Sequence, residues 1–250
     1  MTDVPRDSQQ IAGRSEGAGG GEGVPERDLR HEVKFVAPPT QRASVESWLL
    51  GHAAGFHSAY PPRRVNNFYL DDFDLSTYEE NLAGVSSRTK VRFRWYGDSP
   101  DEVAGTLELK RKRNRLGWKE HYRIPAIRIR GRSWPRIMAS LRAQLPLEAR
   151  LWLDNYPHPT LINQYDRHYY VSRDGRIRVT LDGNQQVFDQ RLARNPNLRA
   201  AANLPDLLIV ELKASSSDAL QLGRTIQGIP IRGGRHSKYV VGLQSMILGG

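Results

Sequence analysis

The sequence predicts an α+β protein, an eight-stranded antiparallel β-barrel with a charged interior that is covered by short helices. Eight segments have the alternation or the length of strands, and the connections between them are too short for a series of parallel β-α-β units. Other segments repeat apolar residues at helical spacing, so they need a sheet surface to cover. A barrel is the economical arrangement because closure removes exposed sheet edges.

Residues 1–28 are predicted to form a disordered, glycine-rich tail, and residues 29–250 to form one folded domain. The tail contains GRSEGAGGGEGVPERD and almost no large apolar side chains. Such a composition cannot bury enough surface to offset the entropy lost on ordering. The rest of the 250-residue chain, which is 38% hydrophobic overall, is long enough for one sizeable core.

The first predicted strand is RHEVKFVA at 30–37, which alternates polar and apolar residues. A helix follows, for which two prolines and Thr40 as the N-cap mark the start, and Val45, Trp48 and Leu49 form its apolar face. VNNFYLDD at 65–72 has the composition of a second strand.

The next segment, DLSTYEENLAG at 74–84, indicates a short helix or turn that ends at Gly84. RTKVRFRWYG at 88–97 is the third strand, and 106–114 with 117–127 form a predicted hairpin. SWPRIMASLRAQL at 133–145 is predicted to be helical because Pro135 suits a first turn and an apolar stripe follows it.

The last three strands are predicted at 160–171, 175–187 and 207–215. The first two are joined by a tight turn at SRDG, and the third, LLIVELKAS, is apolar almost throughout until Glu211. The closing segment SKYVVGLQSMIL has apolar residues at helical spacing, which predicts a final helix.

The chain is strongly basic, with 37 Lys and Arg residues against 27 Asp and Glu residues and a formal net charge of +10. This balance favours anionic partners such as nucleic acid, phosphorylated metabolites or acidic membrane surfaces. The absence of cysteine excludes disulfides, thiolate metal sites and cysteine nucleophiles. Since no run approaches the length of a membrane span and the N-terminus has no signal-peptide pattern, we expect a cytoplasmic protein.

Charged side chains alternate along several predicted strands. In RTKVRFRWYG the period of two places four cations on one face and an increasingly apolar set on the other. Comparable alternation involves Glu32 and Lys34, Glu108, Lys110 and Lys112, Arg176, Arg178 and Asp182, and Glu211 and Lys213. For one strand, a solvated polar face is the ordinary explanation. For the whole sheet, the charges lie either outside an ordinary barrel or inside a wide barrel whose apolar face is covered by helices.

The second arrangement needs a ligand. Two like charges about 5 Å apart repel by roughly 3 kcal/mol at an effective dielectric constant of 20. An interior rich in cations therefore requires interspersed carboxylates and a bound molecule that carries several negative charges.

Seven segments of the chain also occur in an order that is typical of one known family. They are RHEVKFV, NNFYLDDFDLSTYEENLAG, KVRFRWYG, TLELKRKRNRLGWKEHYRI, QYDRHYYVSRDGRIRVTLD, IVELKAS and RHSKYVVG, within residues 29–245. Together they resemble the VTC domain, the polyphosphate polymerase branch of the triphosphate tunnel metalloenzymes in the CYTH-like superfamily. Each motif alone is weak, and the resemblance is least clear near 125–160, but the order of all seven is specific.

The resemblance implies a tunnel of eight antiparallel strands in which basic side chains bind a triphosphate and a carboxylate binds Mn²⁺ or Mg²⁺. The γ-phosphoryl group of ATP or another nucleoside triphosphate would pass to inorganic phosphate or to a growing polyphosphate chain. These are the expected partners, with no specific nucleic acid and no membrane span in this chain.

The resemblance also assigns individual side chains by matching motif positions. The residues expected to act on the transferred phosphates are Arg92, Arg94, Lys110, Arg167, Arg178 and Lys238. The residues expected to bind the remaining phosphates are Lys34, Lys119, Arg235 and Ser237. Glu211 is expected to be the metal ligand, with Glu32 or Glu108 as direct or indirect contributors, while Arg88 and Lys90 lie at the tunnel mouth or in solvent.

One departure from the superfamily pattern bears on the activity. Hydrolytic and cyclase members usually carry Glu-x-Glu-x-Lys in the first strand, whereas this chain has Arg30 where the first carboxylate belongs. The loss of a carboxylate favours the polymerase-like branch. A tunnel triphosphatase that hydrolyses tripolyphosphate or nucleoside triphosphates, and a non-catalytic polyphosphate-binding module, remain the alternatives.

Two further assignments remain open at the level of sequence. Ser237 is expected at the start of the last helix, where it binds phosphate together with the helix N-terminus or acts only as a helix cap. The tyrosines at 165, 169 and 170 are interpreted as packing groups rather than as residues that stack on a nucleotide.

Overall fold

The fold is described from a computed structural model of the chain, which covers residues 30–113 and 116–248. The predicted tail at 1–28 lies outside the described residues, as do residues 114 and 115 of the predicted hairpin loop.

All eight predicted strands are present and form one antiparallel sheet, which confirms the α+β class. The strands are β1 (Arg30–Ala37), β2 (His57–Asp71), β3 (Ser87–Tyr96), β4 (Val103–Arg113), β5 (Leu116–Ile127), β6 (His158–Val171), β7 (Arg178–Asp189) and β8 (Leu208–Ser215). Their order in the sheet is β1-β8-β7-β6-β2-β3-β4-β5. Within the described residues, β1 and β5 form no ladder with each other, so the expected barrel is not closed by backbone hydrogen bonds.

Six α-helices lie between or after the strands of the described chain. They are α1 (Arg42–Gly51), α2 (Ser76–Leu82), α3 (Trp134–Ala143), α4 (Leu147–Asn155), α5 (Ala219–Thr225) and α6 (Lys238–Leu248). Thr40 is not the N-cap of α1 as predicted, because a 3-10 turn at Pro39–Gln41 leads into that helix. Among the helices in the described ranges, none combines the length and the apolar character that crossing a bilayer would need.

Helices cover the apolar face of the sheet at two places. Ile137 and Leu141 of α3 belong to the same buried cluster as Phe93, Trp95 and Leu107 of the sheet. A second cluster joins α1 and α5 to the apolar residues of β1, β7 and β8. The apolar residues therefore face outward beneath the helices, and the alternating charged residues face the concave side. Of the two arrangements compatible with the sequence, the fold is the barrel with a charged interior.

Helix α6 lies on the concave face instead. Tyr239 stacks on Tyr69 of β2 with ring centroids 5.0 Å apart, and its hydroxyl group donates a hydrogen bond to the buried Asp71. Gly242 allows this close approach, because a Cβ at that position would lie 3.2 Å from side-chain carbons of Leu161 and of Val187. The helix thus occupies one end of the space enclosed by the sheet, which we call the tunnel.

Candidate functional site

The strand register places charged residues from neighbouring strands side by side in the tunnel. Lys90 of β3 is opposite Lys110 of β4, which is in turn opposite Lys119 of β5. At the other edge of the sheet, Lys34 of β1 is opposite Glu211 of β8. Since side chains at every second position share a face, the charged positions of each strand continue these rows along the tunnel.

Glu108 is held by two arginines. Arg92 donates from Nε and Nη2 to Oε2 of Glu108 at 2.9 and 2.6 Å, and Arg94 Nη1 lies 3.1 Å from Oε1. Burial alone would raise the pKa of this carboxyl group, but the charges of Arg92 and Arg94 lower it to about 2. Both oxygens are therefore engaged by guanidinium groups, and the position of Glu108 favours orientation of the arginines over metal binding.

Glu32 and Glu211 form a second cluster with two lysines. Lys34 Nζ lies 2.8 Å from Glu32 and 3.7 Å from Glu211, while Lys213 Nζ lies 3.1 Å from Glu211 and 3.9 Å from Glu32. Burial opposes the charged form of Lys34, but Glu211 and Glu32 raise its pKa above the usual value. Burial likewise opposes ionisation of Glu32, yet contact with Glu211 and the nearby lysines hold its pKa well below the usual range. Glu32 and Lys34 are therefore both charged at neutral pH.

Asp182 anchors two of the predicted cations. Arg167 donates to both of its carboxylate oxygens at 2.6 and 2.7 Å, and Lys238 donates to Oδ2 at 2.7 Å. Asp182 is fully buried, which would raise its pKa, but Lys238 and Arg167 lower it to about 2. This buried group fixes the start of α6 relative to β6 and β7.

Several cations on the concave face have no carboxylate within ion-pair distance among the described residues, and they include Lys90, Lys110, Lys119 and Arg178. Burial, followed by the charges of Lys110 and Lys34, lowers the pKa of Lys90 to about 7. Burial and the charges of Lys213 and Lys110 lower the pKa of Lys119 to about 8. The tunnel thus holds positive charge that its own carboxylates do not neutralise.

The segment before α6 brings further polar groups to Lys90 and Lys34. Lys90 Nζ donates to Ser237 Oγ at 2.8 Å, and Lys34 Nζ donates to the carbonyl oxygen of His236 at 3.4 Å. Ser237 Oγ also accepts a long hydrogen bond of 3.4 Å from the amide of Val240, so the serine caps the helix while it contacts Lys90. Arg235 is exposed next to this segment.

The Glu32 and Glu211 cluster fits a divalent cation. Mg²⁺ is commonly held by one or two carboxylates together with substrate phosphates, and these two carboxylates share the same lysines. Thr180, which is opposite Glu211 in the β7–β8 register, has a buried hydroxyl group without a hydrogen-bond partner among the described residues. No group of three or more His, Asp or Glu side chains suited to a metal occurs in the ranges that the structure describes.

The structure brings most of the predicted site residues together and adds some that the sequence reasoning missed. Lys213 lies two residues after Glu211, and Asp182 lies on the same strand face as Arg178. This period-two alternation is the sequence pattern that indicates their place in the tunnel. Lys90, for which the sequence allows either the tunnel mouth or solvent, lies on the concave face beside Ser237. Arg88 donates instead to the carbonyl oxygen of Val85 at 2.9 Å. Tyr69 accepts a hydrogen bond from Arg92 at 3.2 Å, which no sequence pattern indicated.

The depressed pKa values predict that anion binding in the tunnel depends on pH. A bound tripolyphosphate stabilises protonated Lys90 and Lys119 and so raises their pKa values, which couples binding to proton uptake. Because the free pKa values are about 7 and 8, Lys90 is already about half deprotonated at pH 7, and the uptake increases as the pH rises further. We expect the Kd for tripolyphosphate, measured without metal by calorimetry, to rise at least about tenfold from pH 7 to pH 9, since one pKa unit corresponds to a factor of ten.

The matched variant for this prediction is Lys90→Arg, which keeps its charge over the whole interval. It is expected to bind with a weaker pH dependence than the natural protein. A Kd that stays constant between pH 7 and pH 9, with no proton uptake in buffers of different ionisation enthalpy, would contradict the prediction.

Comparison with known proteins gives one family match and several similar structures. The VTC domain profile matches residues 29–247, which include all eight strands. No curated protein matches. Similar solved structures include a candidate adenylyl cyclase from Hippeastrum with a dominant triphosphatase activity, at 16% identity and a TM-score of 0.48 over 87% of this chain and 96% of that one.

Two other similar structures come from microorganisms. A candidate adenylate cyclase from Vibrio parahaemolyticus has 10% identity and a TM-score of 0.48, with 86% of this chain and 98% of that chain covered. A protein from Pyrococcus horikoshii has 11% identity and a TM-score of 0.44, with 88% of this chain and 99% of that chain covered.

Proposed function

Because the chain belongs to the VTC domain family, we propose that it is a polyphosphate polymerase that transfers the γ-phosphoryl group of ATP to a growing polyphosphate chain. The observation that supports this proposal best is the set of unneutralised cations beside the carboxylate cluster. Lys90, Lys110 and Lys119 form a row across three strands, and the pKa of each is lowered in the free protein. A ligand with several negative charges reverses that electrostatic cost.

The chemistry of this reaction requires positioning and charge stabilisation more than covalent participation by the protein. An oxygen of the acceptor phosphate forms a new bond to the γ-phosphorus, and the bond between that phosphorus and the β,γ-bridging oxygen breaks, which releases ADP. The acceptor oxygen is already anionic, so no general base is needed. The side chains have to hold donor and acceptor in line and stabilise charge on the transferred group.

The residues on the concave face fit these tasks. Arg92 and Arg94 present guanidinium groups that Glu108 keeps in place, and arginine binds phosphate oxygens in a bidentate manner. Arg167 and Lys238 are fixed by Asp182 of β7. Further positive charge along the path of a phosphate chain comes from Lys34, Lys90, Lys110, Lys119 and Arg178.

A divalent cation, Mn²⁺ or Mg²⁺, would be held by Glu211 and Glu32 and would supply neutralisation of phosphate charge. With that cation bound, Lys34 and Lys213 would be free to turn from the carboxylates towards phosphate oxygens, since both lysines are part of the same cluster.

The test is incubation of the purified chain with ATP and Mn²⁺, followed by gel electrophoresis with a stain for polyphosphate. We expect a ladder of long polymers whose formation stops when the metal is chelated. Release of orthophosphate without a ladder would instead identify a tunnel triphosphatase. Binding of polyphosphate without any turnover would identify a non-catalytic binding module.

The binding-module outcome has its own readout. A ligand that binds only the folded protein at 100 times its Kd adds about 2.7 kcal/mol to the free energy of unfolding. Polyphosphate would then raise the melting temperature, although no product forms and the metal has no effect.

A further inference from the structure

An arginine surrounded by three tyrosines lies on the concave face, at the opposite end of β3 from Lys90. The guanidinium carbon of Arg63 is 5.3 Å from the ring centroid of Tyr60 and 6.0 Å from those of Tyr96 and Tyr169. Tyr60 and Tyr169 also meet edge to face with centroids 5.7 Å apart. We call Tyr60, Arg63, Tyr96 and Tyr169 the tyrosine–arginine cluster.

The local sequence explains why these side chains converge. Between Tyr60 and Arg63 the chain contains Pro61 and Pro62, which have no amide hydrogen to donate to a neighbouring strand. The register of β2 against β6 shifts on both sides of Tyr60, and such irregularities redirect side chains at the rims of barrels. Tyr60 is brought opposite Tyr169, and Arg63 opposite Arg167.

The cluster is accessible and its cation has no carboxylate partner. Tyr60 is 56% exposed and Tyr96 is 47% exposed, although large aromatic side chains are usually more buried. Arg63 is exposed and forms no ion pair within the described part of the chain, whereas its neighbour Arg64 binds Asp166 at 3.0 Å. The guanidinium group thus rests against aromatic rings, and its N–H groups remain available to a ligand.

We propose that the tyrosine–arginine cluster binds the nucleoside part of a nucleoside triphosphate whose phosphates lie in the tunnel, an inference that rests on the proposed function. Tyrosine rings and the guanidinium plane are the surfaces on which bases stack, while a polyphosphate chain gains little from an aromatic ring. Tyr96 is two residues from Arg94 on the same face of β3, which corresponds to roughly 7 Å along the strand. The cluster therefore adjoins the predicted phosphate-binding arginines.

This position gives the tunnel a direction. The other end is occupied by α6, whose Tyr239 stacks on Tyr69, and Ser237 directly before this helix contacts Lys90. The nucleotide enters at the tyrosine–arginine cluster with its γ-phosphate leading, and the acceptor phosphate lies beyond it on the side of α6. Tyr169, which sequence reasoning treated as a packing group, is half-buried and supports the exposed Tyr60.

The experiment compares the binding of a non-hydrolysable ATP analogue with that of tripolyphosphate, by calorimetry with the full chain. Tyr60→Ala is expected to weaken the binding of the ATP analogue about tenfold, the lower part of the range for loss of base stacking. Tripolyphosphate, which has no base, is expected to keep its Kd within about twofold. Tyr60→Phe keeps the ring and is expected to bind both ligands like the natural protein.

Two controls make the outcome specific. Phe73→Ala removes an aromatic side chain that is 86% exposed elsewhere on the surface and should change neither Kd. Tyr96→Ala tests a second member of the cluster if Tyr60→Ala melts at a much lower temperature. The proposal would be overturned if the substitutions weakened the binding of both ligands equally or weakened the binding of neither. Failure of the polymerase assay would leave this comparison intact, because it measures binding alone.

Discussion

Glu211→Gln is expected to lower the rate of polyphosphate synthesis at least about 100-fold. Mutation of a residue that only supports a metal ligand typically already lowers metal affinity or activity 10–100-fold. The substitution keeps the size of a side chain that is 10% exposed and removes the charge that faces Lys34 and Lys213. The rate should be measured by polymer staining over a series of Mn²⁺ concentrations. We expect the half-maximal Mn²⁺ concentration to rise together with the loss of rate.

Glu46→Gln is the matched control for Glu211→Gln. Glu46 also pairs with a cation, Arg42 at 3.1 Å, but both lie on α1 outside the tunnel. This variant should retain the rate within about twofold, since the pair is partly exposed and such ion pairs contribute little. Wild-type rate and metal dependence in the Glu211→Gln variant would reject the assignment of Glu211 as metal ligand.

The sequence predicted the number of strands because each of the eight segments has the alternation, the composition or the length of a strand. Alternation alone could not decide which face of the sheet is outside, because an alternating strand looks the same in both arrangements, and it was the family resemblance that implied a charged interior. The helices α3 and α4 decide it, since they bury Phe93 and Trp95 and leave Arg92 and Arg94 on the concave face. Helix α4 itself was not predicted, and it lies in the part of the chain where the family resemblance was least clear.

The ion pairs inside the tunnel depend on register and were less accessible to sequence reasoning. The strand motif makes Glu108 a candidate metal ligand, but in register it lies opposite Arg92. Lys90 and Ser237 are 147 positions apart in the chain, and only the placement of α6 brings them together. The residue types of the site could therefore be predicted from motifs, whereas the pairing of those residues required the fold.

Arg94→Ala is expected to lower the rate of polymer synthesis about 10³-fold, the lower end of the effect of removing an arginine that stabilises a transferring phosphoryl group. Arg94 is 14% exposed, and its Nε donates to Asn67 at 3.0 Å while Nη1 contacts Glu108. Arg94→Lys should recover only part of the rate, because lysine keeps the charge without the bidentate geometry. Arg142→Ala removes an exposed arginine on α3 and should leave the rate unchanged within about twofold.

Glu108→Gln distinguishes the two roles that have been considered for this carboxylate. If Glu108 only orients Arg92 and Arg94, its loss lowers the rate about 10–100-fold, as for supporting residues of other sites, and the half-maximal Mn²⁺ concentration stays the same. If it binds the metal, that concentration rises as it does for Glu211→Gln. We expect the first result, because Oε2 already accepts two hydrogen bonds from Arg92 and Oε1 lies 3.1 Å from Arg94. A metal ion at Glu108 would have to displace at least one of these guanidinium groups, and with it a side chain that we propose binds the transferred phosphate.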